Sequence, residues 1–311
     1  MAKKKNEYQK PMTPEMVNMA SQKIFEFLRE QKFSSLEEMQ KYIDQHITGH
    51  KIDEIFTLKK GKKSNQEKSD DLLYRAYDSE PKVGMKLAKQ ALELCPENVA
   101  ALNYMALHST NIKTALALYK KAIAMATEQL GAKHFEEVKG HFWMAPETRP
   151  YMTARFGYAN CLVMLNREEE AVKEFEAMME LNPNDNQGVR YNLSSVLLSM
   201  KKYNAYYDFY KKHCLDNSTI NLFNYALFAF ATQGNTPYST NALRKADEAN
   251  NFVLVYLCGF DEPEFYETDY YSPGDEREAI LYLEMNSVAW IECEGAMEWV
   301  EKFLEEFEEE A

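Results

Sequence analysis

Side chains of matching size recur at intervals of 34 residues in the central part of this chain. In one copy the small Ala171 is followed by Phe175 four residues later, by Met178 after three more, and then by Pro183. Four other places repeat this spacing: Gly84, Ala88, Ala91 and Pro96; Ala115, Tyr119 and Ala122; Ala205, Phe209 and Asn217; and Ser239, Leu243, Ala246 and Asn251. An internal repeat of this length restricts the chain to folds built from stacked copies of one unit.

The spacing itself predicts helices. Positions four and three residues apart lie on one face of an α-helix, and small residues there allow a neighbouring helix to approach closely. The Pro or Asn that follows ends one helix and prepares the next. A 34-residue period with this pattern is typical of tetratricopeptide repeats, in which antiparallel helix pairs stack into a right-handed superhelix. We therefore predict an all-α fold, a right-handed solenoid of helix pairs.

The period sets the limits of the repeat region at residues 66–253, with an insert at about 127–151 that breaks the period. The individual repeats are predicted at 66–97, 98–126, 152–185, 186–219 and 220–253.

The N-terminal flank differs from the repeats. Residues 1–12 form a basic tail, and residues 13–57 form a small helical region. Capping positions predict its two helices at 13–30 and 34–47. The Lys-rich segment 58–65 lacks an apolar period and is interpreted as a linker.

The C-terminal flank, residues 254–311, is predicted to be an acidic capping region, because a stack of repeats exposes an apolar side at each end. The run FVLVYLCG at 252–259 is expected to be briefly extended, and helices are expected at 275–291 and 295–309. Their apolar faces are predicted to hold Ala279, Tyr282, Leu283, Val288, Trp290, Trp299, Val300, Phe303 and Phe307.

The net charge of −13 is unevenly distributed. Residues 1–63 carry 13 Lys and Arg against 9 Asp and Glu, whereas residues 261–311 carry 18 Asp and Glu against Arg277 and Lys302. An acidic surface repels the phosphates of nucleic acids, so binding to DNA or RNA is not predicted.

The five cysteines (Cys95, Cys161, Cys214, Cys258 and Cys293) are far apart, and none belongs to a CxxC pair. Zinc sites and disulfide scaffolds have closer spacing, so we expect reduced thiols, no metal and no cofactor. No segment has the roughly 20 consecutive apolar residues that cross a bilayer, and no apolar run of signal-peptide length follows the basic start. We expect a cytoplasmic protein that does not bind membranes.

Two blocks of the sequence, GHFWMAPETRPYM at 140–152 and NPNDNQG at 182–188, resemble blocks in a group of bacterial tetratricopeptide proteins. That group is distantly related to eukaryotic proteins named for suppression of tumorigenicity. The resemblance covers about residues 66–300. It implies the helical repeat fold and a soluble bacterial protein, and it implies no reaction.

The segment 140–155 lies largely in the insert and combines prolines with chemically active side chains: His141, Trp143, Glu147, Arg149 and Arg155. As a pocket, it would supply an acid, a base, an anion clamp and a stacking surface. As a structural staple, it would hold the insert through buried aromatics and through pairing of Glu147 with Arg149, Arg155 or Arg190. The sequence shows no nucleophile paired with a base and no Gly-rich phosphate loop, so no catalytic residue is predicted.

In tetratricopeptide folds the first helix of each pair lines a concave groove. Counting from the repeat starts, its inward positions include Asn103, Phe156, Asn160, Arg190, Asn224 and Phe228. Amides, an arginine and aromatic rings suit the recognition of an extended peptide. Where some relatives place Lys and Asn to grip a peptide carboxylate, this chain has Phe156 and Tyr191, so that clamp is not predicted.

A run of tyrosines in the fourth repeat also resembles a functional surface. Tyr203, Tyr206, Tyr207 and Tyr210 are spaced so that half of the run falls on the packed face of its helix.

Together these features predict a non-enzymatic interaction module that binds a peptide or protein partner in its groove. The alternative is a small-ligand sensor or hydrolase centred on the 140–155 segment. A third possibility is a passive scaffold, whose groove would tolerate every substitution.

Overall fold

Fifteen α-helices and two short 3₁₀ turns make up the regular structure of the described residues, and no strand occurs among them. The structure, a computed structural model, describes residues 12–31, 33–46, 48, 62–261 and 271–310. The helices are α1 (Pro14–Glu30), α2 (Leu36–His46), α3 (Asn65–Tyr77), α4 (Pro81–Leu94), α5 (Val99–Leu107), α6 (Ile112–Glu137), α7 (Arg149–Met164), α8 (Glu168–Leu181), α9 (Val189–Ser199), α10 (Tyr203–His213), α11 (Thr219–Gln233), α12 (Pro237–Ala249), α13 (Phe252–Leu257), α14 (Glu276–Ile291) and α15 (Ala296–Glu310).

The prediction of an all-α fold is confirmed. Ten of these helices, α3 to α12, follow one another as five pairs that begin within three residues of the predicted repeat starts. The basic tail at 1–12, apart from Met12, and residues 58–61 of the linker lie outside the described residues.

The chain divides into two compact units. Unit 1 comprises the residues up to Arg167 together with Glu180–Asn184, and unit 2 comprises Glu168–Met179 and the residues from Asp185 onwards.

Local hydrogen bonds fix where the helices of unit 1 begin. Thr13 accepts a hydrogen bond from the amide of Met16 at the start of α1, as its capping position predicts. Ser64 and Glu67 form a reciprocal capping box at the start of α3. The side chain of Asn98 caps α5 in the same way through the amide of Ala101. These caps satisfy amide groups that have no partner within a helix.

Small residues let the first helices of unit 1 pack closely. Gly84 and Ala88 of α4 are buried against Ala76 of α3 and Tyr104 of α5. The Tyr104 hydroxyl donates a 3.1 Å hydrogen bond to the carbonyl of Ala76. A Cβ atom on Gly84 would lie 1.8 Å from that hydroxyl oxygen, so this position accommodates the buried tyrosine only because it has no side chain.

The predicted insert is partly helical. Helix α6 continues through residues 127–137, with a break at Gly131, whose φ of 68° lies in the left-handed region. The chain then forms 3₁₀ turns at Phe142–Met144 and Pro146–Thr148 before α7 begins.

The core of unit 2 is aromatic and joins its last repeat pair to the C-terminal helices. The ring of Phe230 in α11 stacks on Trp299 of α15 with 4.4 Å between ring centroids. Tyr282 and Trp290 of α14 are buried in the same core. Helix α14 packs against α9 and α11, the first helices of two consecutive pairs.

Two details of the C-terminal prediction are wrong. The run expected to extend from residue 252 instead forms α13, because burial of Val253 and Leu254 in the core overrides the β-propensity of its residues. Val288, placed on the apolar face of α14, is 60% exposed. The side chain of Phe307 lies outside the described residues.

No helix of the described residues is long enough and apolar enough to span a bilayer.

The contact between Gly84 and Tyr104 leads to a prediction. Gly84→Ala should lower the free energy of unfolding by about 2 kcal/mol, because overpacking of the core outweighs the gain of about 1 kcal/mol that Ala brings to a helix. Chemical denaturation measures the change. The exposed Lys86→Ala in the same helix is the control, with an expected effect below about 0.5 kcal/mol. An increase in stability for Gly84→Ala would contradict the packing argument.

Candidate functional site

The 141–149 segment of unit 1 is anchored from within. The hydroxyl of Thr148, which is fully buried, donates hydrogen bonds to the carbonyls of Phe142 and, at 2.8 Å, Ala145. The ring of Phe142 is also fully buried and packs against Phe135 of α6 and Tyr151 of α7, with ring centroids 4.7 and 5.8 Å apart. These contacts fix both 3₁₀ turns to the adjacent helices.

Arg149 extends this anchoring to the N-terminal helix. Its Nε atom donates a 3.0 Å hydrogen bond to the carbonyl of Trp143, and its guanidinium lies 5.4 Å from the centroid of the Trp143 ring. Its Nη1 atom donates to Oδ1 of Asn18 in α1 at 3.1 Å. Burial lowers the pKa of the Arg149 guanidinium. This arginine therefore bridges three parts of unit 1.

Glu147, His141 and Arg155 of the segment contact different groups, and Glu147 and His134 line a cavity of about 570 Å³ in unit 1. Oε1 of Glu147 lies 3.2 Å from Nε2 of His134, a contact that sequence reasoning missed. His141 is exposed, and its amide donates to the carbonyl of Val138. Arg155 donates from Nη1 to the hydroxyl of Tyr151 at 3.3 Å.

The predicted groove residues of unit 1 are partly covered. Asn103 is only 3% exposed, and its Nδ2 atom donates a 2.8 Å hydrogen bond to the carbonyl of Pro150. Its Oδ1 atom has no hydrogen-bond partner among the described residues. Phe156 and Asn160 of α7 are half-buried.

Asn103 faces a small cavity of about 50 Å³ in unit 1. The lining comes from α1, α3, α5 and the start of α7, and includes Asn18, Met19, Tyr77, Asn103, Arg149 and Thr153. The cavity thus lies between α1 and the first helices of three consecutive pairs.

Arg190 of unit 2 belongs to a local ionic cluster. Its Nη1 atom lies 2.8 Å from Oδ2 of Asp185, and its Nη2 atom lies 3.2 Å from Oδ2 of Asp216. The guanidinium also stacks 4.1 Å from the ring centroid of Tyr191. The contacts to the Asp185 carboxylate raise the pKa of Arg190 despite its burial. Asp185 also accepts a 2.7 Å hydrogen bond from the amide of Val189 at the start of α9.

Asn224 has a structural role that excludes direct contact with a partner in this conformation. It is fully buried, and its Nδ2 atom donates to the hydroxyls of Ser194 and Ser195 at 3.3 Å. Its Oδ1 atom accepts from the hydroxyl of Tyr282 in α14, which in turn accepts from Nε1 of Trp290 at 2.7 Å. The assignment of Asn224 to an open groove is therefore revised, since α14 covers it.

Phe228 lies in an aromatic cluster with an exposed side. Its ring stacks on Tyr207 of α10 with 5.3 Å between centroids and an interplanar angle of 8°. Tyr210 stacks on Tyr225 at 4.5 Å, and the hydroxyls of Tyr225 and Tyr238 are hydrogen-bonded. We call Tyr207, Tyr210, Tyr225, Phe228 and Tyr238 the aromatic face.

The aromatic face is only partly visible in the sequence. Its exposed members are Tyr207, with 39% of its surface exposed, and Tyr238, with 50%. Tyr206 is fully buried, in agreement with the prediction that half of the tyrosine run lies on the packed face of its helix. Sequence reasoning missed Tyr225 and Tyr238. The position of Tyr225, three residues before Phe228 on one helix, was the available signal.

Asp247 of α12 has the shifted pKa that catalytic carboxyls often show. Burial, followed by the nearby charge of Glu248, raises its pKa to about 6. Its Oδ1 atom has no hydrogen-bond partner among the described residues. Burial is the largest cause of the shift, which is therefore read as a cost of burial.

All five cysteines are free thiols, and within the described residues no group of three His, Cys, Asp or Glu side chains is placed to hold a metal ion.

Comparison of the sequence with known protein families and with curated proteins finds no match in either.

The network around Asn224 leads to a second prediction. Tyr282→Phe should lower the free energy of unfolding by about 2 kcal/mol, because it leaves Oδ1 of Asn224 and Nε1 of Trp290 buried without partners. Denaturant titration checks this value. The control Tyr207→Phe removes a hydroxyl from an exposed ring and should change stability by less than about 0.5 kcal/mol. Equal effects of the two variants would refute the assignment.

The third prediction concerns pH. The raised pKa of Asp247 means that its ionised form opposes folding, so its penalty is full above about pH 6 and disappears below its unfolded pKa of 3.8. Asp247→Asn should therefore increase stability at pH 7.5 by about 1 kcal/mol, a value reduced for partial solvent screening. The difference from wild type should vanish towards pH 4. Denaturation measured from pH 4 to pH 8 tests this, and a constant difference would contradict it.

Proposed function

We propose that this chain is a non-enzymatic interaction module of the tetratricopeptide type, which binds a peptide or protein partner. The observation that carries the proposal is the aromatic face of unit 2, where stacked rings of α10, α11 and α12 reach the surface. The order of five helix pairs and their small-residue spacing support the repeat assignment.

The chemistry of the aromatic face suits partner recognition. Tyrosine is enriched among the residues that dominate binding energy at protein interfaces, because its ring buries a large area and its hydroxyl can still bond to a partner backbone. The stacked rings are already held in place, so binding orders few additional side chains. Lys211 lies over the ring of Tyr207 at 4.6 Å and adds a cation at the edge of the face.

The contacts of the described side chains support a binding function more than a catalytic one. In the 140–155 segment, the side chains of Thr148 and Arg149 donate hydrogen bonds to backbone carbonyls and so hold the segment in place. In unit 2, Arg190 is occupied by Asp185 and Asp216. The sensor or hydrolase alternative would require an acid, a base and a substrate position in one place. We further propose that the module acts in the cytoplasm of a bacterium, in line with the resemblance of its two sequence blocks.

The fourth prediction tests the aromatic face. Replacing Tyr207 and Tyr238 together by Ala should weaken binding of a partner at least about tenfold, because two exposed rings of an interface centre are lost. Tagged full-length protein is used to capture partners from lysate of its own cells. Quantitative mass spectrometry identifies those enriched by wild type, and the affinity for the purified partner is then measured.

The matched control is Tyr271→Ala, which removes a ring that is 53% exposed and does not belong to the aromatic face. It should capture the same partner as wild type. Unchanged thermal unfolding of all variants shows that the fold is kept. If every captured protein binds the double variant as well as wild type, the aromatic face is not the binding surface.

A further inference from the structure

Helix α1 lies on the surface of unit 1 formed by first helices of its pairs. It packs against α3 and against the Pro146–Thr148 turn, and it shares a cavity with Asn103 of α5 and Thr153 of α7. We call the surface made by α3, α5 and the start of α7 the inner face of unit 1. A helix therefore already occupies the kind of surface that helical repeats offer to partners.

Few contacts hold α1 in place. Among its described side chains, Met16 and Ala20 are buried, and their spacing of four residues puts them on one side of the helix. Polar contacts flank these anchors: Nζ of Lys23 lies 2.9 Å from Oδ1 of Asp71, and Asn18 accepts from Arg149. Val17 and Phe25 are 47% and 57% exposed. The occupant is thus an amphipathic helix with two buried apolar anchors, a half-buried Met19 packed against the core of unit 1, and one cation.

The fit of α1 to the inner face is incomplete. The cavity of about 50 Å³ remains between them, and it is lined by the 3%-exposed Asn103, whose Oδ1 atom has no partner among the described residues. A buried acceptor without a donor costs about 1–3 kcal/mol. A different helix with a donor at this point would fit the inner face better than α1 does.

Unit 2 provides the contrast. Helix α14 also packs against the first helices of two pairs, α9 and α11, but its Tyr282, Asn286 and Trp290 are buried. Tyr282 bonds to both Asn224 and Trp290. Helix α14 is therefore part of the core of its unit, whereas α1 has the sparse contacts of an element that opens without global unfolding.

We propose that the inner face of unit 1 is a docking site for an amphipathic helix of a partner protein, and that α1 occupies this site until the partner replaces it. The partner helix carries two small or aliphatic anchors four residues apart, a basic residue for Asp71 and a hydrogen-bond donor for Asn103. This site is separate from the aromatic face, so either proposal can fail without the other.

The test uses α1 itself as the probe, supplied as a fluorescent synthetic peptide of residues 12–31. In wild type the tethered α1 competes at an effective concentration of about 1 mM, so the peptide should bind weakly. The full-length release variant, Met16→Asp with Ala20→Asp, should bind it at least about tenfold more tightly. Fluorescence anisotropy measures both affinities. Equal affinities, or no binding to the release variant, would overturn the proposal.

The matched control places the same two charges on the exposed side of α1, as Val17→Asp with Phe25→Asp. It should behave as wild type does. A charge exchange then tests the geometry: adding Asp71→Lys to the release variant should weaken peptide binding, and a peptide carrying Lys23→Asp should restore it. Failure of the exchanged pair to recover binding would count against the docking mode.

Hydrogen exchange on the unmodified protein is an independent measurement, because it does not depend on a substituted variant whose fold could be destabilised. The amides of α1 should exchange faster than those of α14, because α1 opens locally. Equal protection of the two helices would show that α1 is as integral as α14 and would overturn its role as a replaceable occupant.

Discussion

Close approach between helices at small residues is the constraint on which unit 1 depends. The hydroxyl of Tyr104 reaches the carbonyl of Ala76 across the position of Gly84, and the ring of Tyr119 lies where a Cβ atom of Gly157 would be. Large rings placed against bare backbone set the distance between neighbouring helices. That distance in turn determines which side chains of the first helices are left on the inner face for α1 to cover.

Polar residues at inward positions have different roles in the two units. In unit 2, Asn224 is satisfied by Ser194, Ser195 and Tyr282, which makes the polar group part of a closed network. In unit 1, Oδ1 of Asn103 has no hydrogen-bond donor among the residues that the structure describes, and the same holds for Oδ1 of Asn221 and Asn286 in unit 2. Satisfied buried groups stabilise a fold and unsatisfied ones cost free energy, so Asn224 and Asn103 affect stability in opposite directions.

The sequence predicts the helices well because their signals are local. The small–large–small spacing and the cap at Thr13 involve residues at most seven positions apart. Contacts between distant residues have no such signal: Asn224 meets Tyr282, and Glu147 meets His134. Val288 was misplaced because a helix packed on several neighbours has apolar residues beyond its buried side. The aromatic face was found only in part, since its rings come from three helices.

Gly131, the left-handed residue in α6, divides this helix into two parts with different packing roles. Before Gly131 the helix is the second member of its pair, and after Gly131 it carries Phe135 and His134 to the turns that precede α7. Each residue added or removed between Gly131 and those turns would rotate this end by about 100° around the helix axis. The length of the helical part of this segment therefore determines where Phe135 and His134 lie, whereas its mostly exposed side chains contribute little to that placement.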